Sequence, residues 1–194
     1  MSGTNPGRSK LAGSQMRQRR TIGPGRTALT LTAVLLLLTP AGAQDVTGPA
    51  LKAAAIYNFA KFTDWPDSVV AGGPFTMCVV GDSAVGDALE RAIKGRHREG
   101  SDIIVSRPTP PEVPRTCHVL YLSGITLAQA AQIVAAIDDA PVLTISDLDG
   151  FADVGGMVQL FFEHGQLRFS VALSSARRAR LQISAKVLTL AIRK

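Results

Sequence analysis

The sequence predicts a single α/β domain: a largely parallel sheet flanked by helices, closed by a C-terminal β-hairpin and helix. Two observations predict it. Between residues 75 and 146, short apolar runs of strand length alternate with stretches of helical spacing, the pattern of parallel strands joined by helical crossovers. After residue 156 two apolar runs flank His164 and Gly165, which reads as a hairpin with a tight turn.

The elements follow in order. LKAAAIYNFAKFTDWP (51–66) predicts a helix that stops before Pro66, because the residue ahead of a proline is pushed out of the helical region. PFTMCVVG is a strand, and DSAVGDALERAIK a helix that Asp82 or Ser83 can cap. SDIIVSR is the next strand, trailed by the proline-rich loop PTPPEVPRT. Then come HVLYLS as strand, TLAQAAQIVAAID as helix and APVLTISD as strand. GMVQLFFE and QLRFSVAL form the expected hairpin. SSARRARLQISAKVLTLAIRK predicts one closing helix, capped by Ser174 or Ser175, with Leu181, Ala185, Leu188 and Ile192 at helical spacing.

The formal charge of +6 suggests a nucleic-acid or membrane binder, but it is local to one end. The first 43 residues hold six basic side chains (Arg8, Lys10, Arg17, Arg19, Arg20, Arg26) and no acidic one, so the rest of the chain is formally neutral. A nucleic-acid partner is therefore not expected. Residues 1–43 read as a secretory signal: a basic segment, the apolar run TALTLTAVLLLLTP, and small residues AGA for cleavage after Ala43, with Met16 as a possible later start. The apolar run is shorter than the roughly 20 residues that a membrane span needs. The paired arginines of QRRTI hint at twin-arginine export, although the Sec route fits better. The expected location is the periplasm, and the expected domain is 44–194, long enough for its own core.

Export also bears on the two cysteines, Cys78 and Cys117, for which a disulfide is the expectation and two free buried thiols the competing reading. A bond would bring the PFTMCVVG and HVLYLS strands side by side, as in a flavodoxin-like or Rossmann-like order. It would close a loop worth about 4 kcal/mol in the chain-entropy model.

Motifs for chemistry are sparse. His97, His118 and His164 are widely spaced, with no ligand spacing for a metal, and no G-x-S-x-G elbow or other nucleophile motif occurs. No catalytic residue and no cofactor is assigned. VVGDSAVGDAL places glycine between a strand and a helix start, but it reads G-D-x-x-x-G and Asp82 would repel a phosphate. Open α/β sheets bind ligands beyond the carboxyl ends of their strands, so Asp82, Ser83, Ser123, Ser146 and Asp147 are the candidates for one crevice. Glycine-supported turns would place the same residues there without any ligand.

Four of the ten aromatic residues, Tyr57, Phe59, Phe62 and Trp65, fall within YNFAKFTDWP. At about 100° per residue, Phe59 and Phe62 share a side with Leu51 and Ala55, which marks them as core. Tyr57 lies nearly opposite Phe59, and Trp65 stands about 60° from Phe62. Both are candidates for a dimer or partner contact, the alternative being burial in the monomer. Arg177, Arg178 and Arg180 crowd the first turns of the expected closing helix, where the helix dipole does not favour them. They are either a solvated face or a basic patch that meets an acidic partner domain or the anionic membrane surface.

With these segments in view, the sequence resembles the YfiR-like periplasmic regulators of membrane-bound diguanylate cyclases. The matching pieces are LKAAAIYNFAKFTDWP, MCVVGDSAVGDAL, VLTISDLDGFADVGGMVQL and RFSVALSSARRARLQISAKVLTLA, from about Leu51 to Ala191. The resemblance implies a non-enzymatic repressor. It would bind the periplasmic sensory domain of an inner-membrane diguanylate cyclase, keep cyclic di-GMP low and restrain biofilm formation. Its implied partners are that domain, an outer-membrane lipoprotein that titrates the repressor, and a second copy in a homodimer. The family's pattern implies that Cys78 and Cys117 form a structural disulfide. A further family disulfide, around the segment matching SDLDGFADVGG, has no cysteine here, so switching through that bond is not expected. The other reading is a periplasmic small-molecule sensor, or an accessory protein for a different membrane signalling partner.

Overall fold

The computed structural model describes residues 48–70, 73–110 and 115–192; the expected export segment 1–43 lies outside them. The chain opens with α1 (Gly48–Lys61), then the two-residue strand β1 (Thr63–Asp64) and the single turn α2 (Asp67–Val70). β2 (Phe75–Val80) leads into α3 (Ser83–Ile93), whose N-cap is Asp82: its carboxylate accepts from the Val85 N–H at 3.1 Å. A short return, β3 (His97–Arg98), pairs with β4 (Ser101–Ser106). β5 (Val119–Leu122) precedes α4 (Leu127–Ala136), and Thr126 with Gln129 forms a capping box at the start of that helix. β6 (Leu143–Ser146), β7 (Val158–Glu163) and β8 (Gln166–Val171) complete the sheet. The chain then runs through α5 (Leu173–Arg178), β9 (Gln182–Ile183) and α6 (Ala185–Leu188).

The large sheet has the order β3-β4-β2-β5-β6-β7-β8. Its five central strands are parallel, and β3 and β8 are antiparallel additions at the two edges. Counted along the chain, the parallel strands lie second-first-third-fourth-fifth, the flavodoxin-like order expected from the two cysteines. Cys78 and Cys117 are bonded, with 5.8 Å between their Cα atoms. β2, β5 and β6 are buried along nearly their whole length because both of their faces are covered. Alternate residues face opposite layers: Met77 and Val79 join α1 and α3 in one core, whereas Cys78 and Val80 join α4 and Phe151 in the other. The expected tight turn between β7 and β8 is present. His164 and Gly165 have φ of 49° and 76°, the positive values that a two-residue hairpin loop requires.

Two expectations are corrected. The first helix does not continue to Pro66 but ends at Lys61. Arg98 of β3 donates to the Ala60 carbonyl in the last turn of α1 and, at 3.0 Å, to the Thr63 carbonyl of β1, which gives the helix end a cationic partner. Thr63 and Asp64 then pair antiparallel with Ile183 and Gln182. That pairing also breaks the closing helix. After six residues of α5 the chain turns through Arg180, at φ 59°, buries Leu181, and pairs as β9 before Ser184 caps α6. Neither Ser174 nor Ser175 caps α5; its N-cap position is Ala172, with no side-chain bond. Of the residues at the expected helical spacing, Leu181 is buried and Ala185 is exposed, and Val187 takes the inner position instead.

Candidate functional site

The loops at the carboxyl ends of β2, β5 and β6 form a closed polar knot rather than an open crevice. At the point where the strand order reverses, the Gly81 backbone lies directly on Ser123: a Cβ at Gly81, whose φ is 86°, would run into the Ser123 carbonyl oxygen. Ser123 N–H donates to the Val80 carbonyl at 3.1 Å, which draws the two loops together. Of the expected crevice residues, Asp82 is occupied as the cap of α3 and Ser83 is exposed in the first turn of that helix. Ser146 is fully buried; its hydroxyl donates to the Leu122 carbonyl at 2.7 Å and accepts from Leu148 N–H at 3.1 Å. Its job there is to hold the β6 loop against β5.

Asp147 is the charged member of the knot. Its carboxylate receives Lys52 Nζ of α1 at 2.5 Å, with both side chains about four-fifths buried. Burial alone would raise the Asp147 pKa, but the Lys52 ammonium and the Ser123 and Tyr121 side chains outweigh it and hold the carboxyl below its ordinary range. Beside them the Tyr121 phenol is fully buried and makes no well-formed hydrogen bond; burial first, and the Asp147 charge second, push its pKa well up. The structure thus brings together Ser123, Ser146 and Asp147 and adds Tyr121 and Lys52, which sequence reasoning missed. Lys52 stands near the start of an apolar helix, and nothing local marks it as the partner of a residue 95 positions away.

The aromatic segment divides differently from its helical-wheel reading. Phe59 is buried, edge-on to Phe169 at 5.0 Å, and Phe62 is half-buried. Tyr57 is half-buried at the surface, with the Arg96 guanidinium 4.8 Å over its ring. Trp65 is 7% exposed, edge-on to Phe75 at 5.1 Å and covered by the Arg98 guanidinium at 4.7 Å. Trp65 is therefore part of the monomer core and not a surface contact, because the chain leaves the helix at Lys61 and turns the indole inward. Arg98 organises this corner: it caps α1 and lies over both Trp65 and Phe75.

Arg177, Arg178 and Arg180 are exposed. Arg177 and Arg178 fall in the last turn of α5, not the first turns of a long helix, so the helix dipole favours their charge. Nearby, an open groove of about 760 Å³ runs between the β6–β7 loop and the C-terminal segment, lined by Asp153, Gln159, Leu173, Leu188 and Ile192. Leu173 and Leu190 are exposed apolar residues of that same C-terminal segment.

Among the described residues no group of three His, Cys, Asp or Glu side chains is placed to hold a metal ion. No helix among them is long and apolar enough to cross a membrane. Compared with known protein families, residues 49–192 match the model described as YfiR/HmsC-like, which takes in almost every described element.

Proposed function

Since the chain belongs to the YfiR/HmsC-like family, whose members are periplasmic regulators of cyclic di-GMP signalling and not catalysts, we propose that it represses an inner-membrane diguanylate cyclase. In this reading the protein is exported by residues 1–43, through the Sec route, and the domain of residues 44–194 binds the sensory domain of the cyclase. Binding keeps cyclic di-GMP low and restrains biofilm formation. An outer-membrane lipoprotein relieves the repression by competing for the domain, and the working form is a homodimer.

The family match along nearly the whole domain carries the proposal. The site geometry favours contact over small-molecule binding. At the carboxyl ends of the strands Ser146 bonds to the neighbouring backbone, Asp147 pairs with Lys52, and the Gly81 backbone packs against Ser123. The accessible features are instead Tyr57 with Arg96, the trio Arg177, Arg178 and Arg180, and the apolar groove beside Leu173. Tyrosine and arginine are the residue types enriched at interface centres. The test is capture by cross-linking from intact cells that express a tagged, exported chain. Recovery of a membrane protein with a cyclase domain is expected; recovery only of soluble periplasmic proteins would count against the reading.

A further inference from the structure

The imidazole of His118 joins three pieces of backbone just ahead of β5. Its Nδ1 accepts from the Thr76 N–H at 3.0 Å, and its Nε2 lies 3.3 Å from the Val69 carbonyl. Both bonds form together only in the neutral ring with hydrogen on Nε2. The ring stacks on Phe75 at 4.6 Å and 28°, and the adjacent residue is Cys117 of the disulfide to β2. An open groove of about 390 Å³ reaches it, walled by Val69, Pro74, Thr76, Arg115 and Cys117.

We propose that His118 is an acid-sensitive latch: neutral, it clamps the Val69 carbonyl and the Thr76 amide to the start of β5; protonated at Nδ1, it loses the Thr76 bond and opens this groove. A protonated Nδ1 presents a hydrogen to the Thr76 N–H, so an attraction becomes a donor–donor contact. The surrounding charges give the cation no compensation. Arg98 of β3 acts on the ring, Arg115 lines the groove, Pro141 is what the α4–β6 connection contributes, and the described residues lining the groove include no carboxylate. The acidic residue of α2, Asp67, is exposed and does not line it. Burial first, and Arg98 after it, keep the His118 pKa below its ordinary 6.5, against the upward pull of the Val69 carbonyl. The open form therefore binds the proton more tightly than the closed form. Opening is insensitive to pH above about 6.5 and increases by up to about tenfold per pH unit below it, until the closed form itself is protonated. This device resides in the domain and does not depend on the partner proposed above.

The experiment follows two nuclear magnetic resonance signals of the purified chain from pH 7.5 to 5: the His118 ring nitrogens, and hydrogen exchange of the Thr76 amide relative to an unstructured peptide. The expected result is a neutral Nε2–H ring at pH 7.5, and Thr76 protection that falls below about pH 6.5, by up to about tenfold per pH unit, and levels off once the His118 ring of the folded chain is itself protonated. His118→Gln keeps an acceptor but cannot titrate, and its Thr76 protection should stay flat. Protonation of His118 without loss of Thr76 protection would overturn the latch, as would the wild-type pH profile in His118→Gln. Should the variant fail to fold, the wild-type correlation decides alone.

Discussion

Lys52 Nζ of the first helix sits 2.5 Å from Asp147 Oδ2, at the end of a strand 95 residues later in the chain. The pair pins α1 to the carboxyl end of the sheet, the side on which open α/β folds place their ligands. It fills that position with an internal contact. Lys52→Met and Asp147→Asn should each destabilise the domain by about 1–2 kcal/mol, between the values for an exposed and a fully buried pair. Chemical denaturation at pH 7 measures this. The double variant should lose less than the sum of the two single changes, because one interaction is being removed twice.

The same pair sets a pH response. The Asp147 carboxyl is held below its ordinary 3.8 in the folded state, so the stabilisation is present above that value and is lost as the pH falls through the folded pKa. The acid limb of the stability profile should therefore flatten below pH 4 in Asp147→Asn relative to wild type. Parallel acid limbs in the two proteins would contradict the assignment.

Arg98 supplies the corner where helix, strand and tryptophan meet. Arg98→Ala should cost about 2–3 kcal/mol, from two charge-assisted bonds to carbonyls and the contacts over Trp65 and Phe75. The single tryptophan makes the test direct. Trp65 emission should shift to longer wavelength in the native state of the variant, as the indole gains access to water.

The Cys78–Cys117 bond closes a separation of 39 residues between two neighbouring strands. Replacing both cysteines with alanine should lower stability by about 4 kcal/mol in the chain-entropy account, through a less constrained unfolded state. The midpoint of urea unfolding, compared with oxidised wild type, reports it. An unchanged midpoint would mean that the bond adds nothing beyond the packing around it.

For the proposed interface, Tyr57→Ala and charge reversal of Arg177, Arg178 and Arg180 should each impair cyclase control, the arginine reversal while leaving stability within about 0.5 kcal/mol of wild type, the range for exposed positions. Repression at wild-type level in both variants would move the contact elsewhere, with the groove beside Leu173 and Leu190 as the next surface to change.

How much of this was legible in the sequence follows from the range of each signal. Strands buried on both faces, such as HVLYLS and APVLTISD, announce themselves as short apolar runs, and the two cysteines point to β2 and β5 as neighbours. The hairpin turn was equally local, written in His164 and Gly165. The errors arose where a distant pairing overrides local spacing. The run from Ser174 onward has helical periodicity, yet the pairing of β1 with β9 takes Gln182 and Ile183 out of the helix and leaves two short ones. The same pairing, with Arg98 capping α1, turns Trp65 into the core. Ser123, Ser146 and Asp147 stand at or just after the ends of β5 and β6, a position that the two apolar runs alone define. Their use was hidden, because Lys52 and Tyr121 reach them from other elements.

Repression from the periplasm is read out most directly in cellular cyclic di-GMP. The measurement compares the wild-type strain, a strain lacking this gene, and the deletion strain complemented with either the full chain or the chain without residues 1–43. Cyclic di-GMP should rise on deletion, and only the full chain should reverse the rise. Unchanged cyclic di-GMP on deletion, or reversal by the chain without residues 1–43, would contradict it.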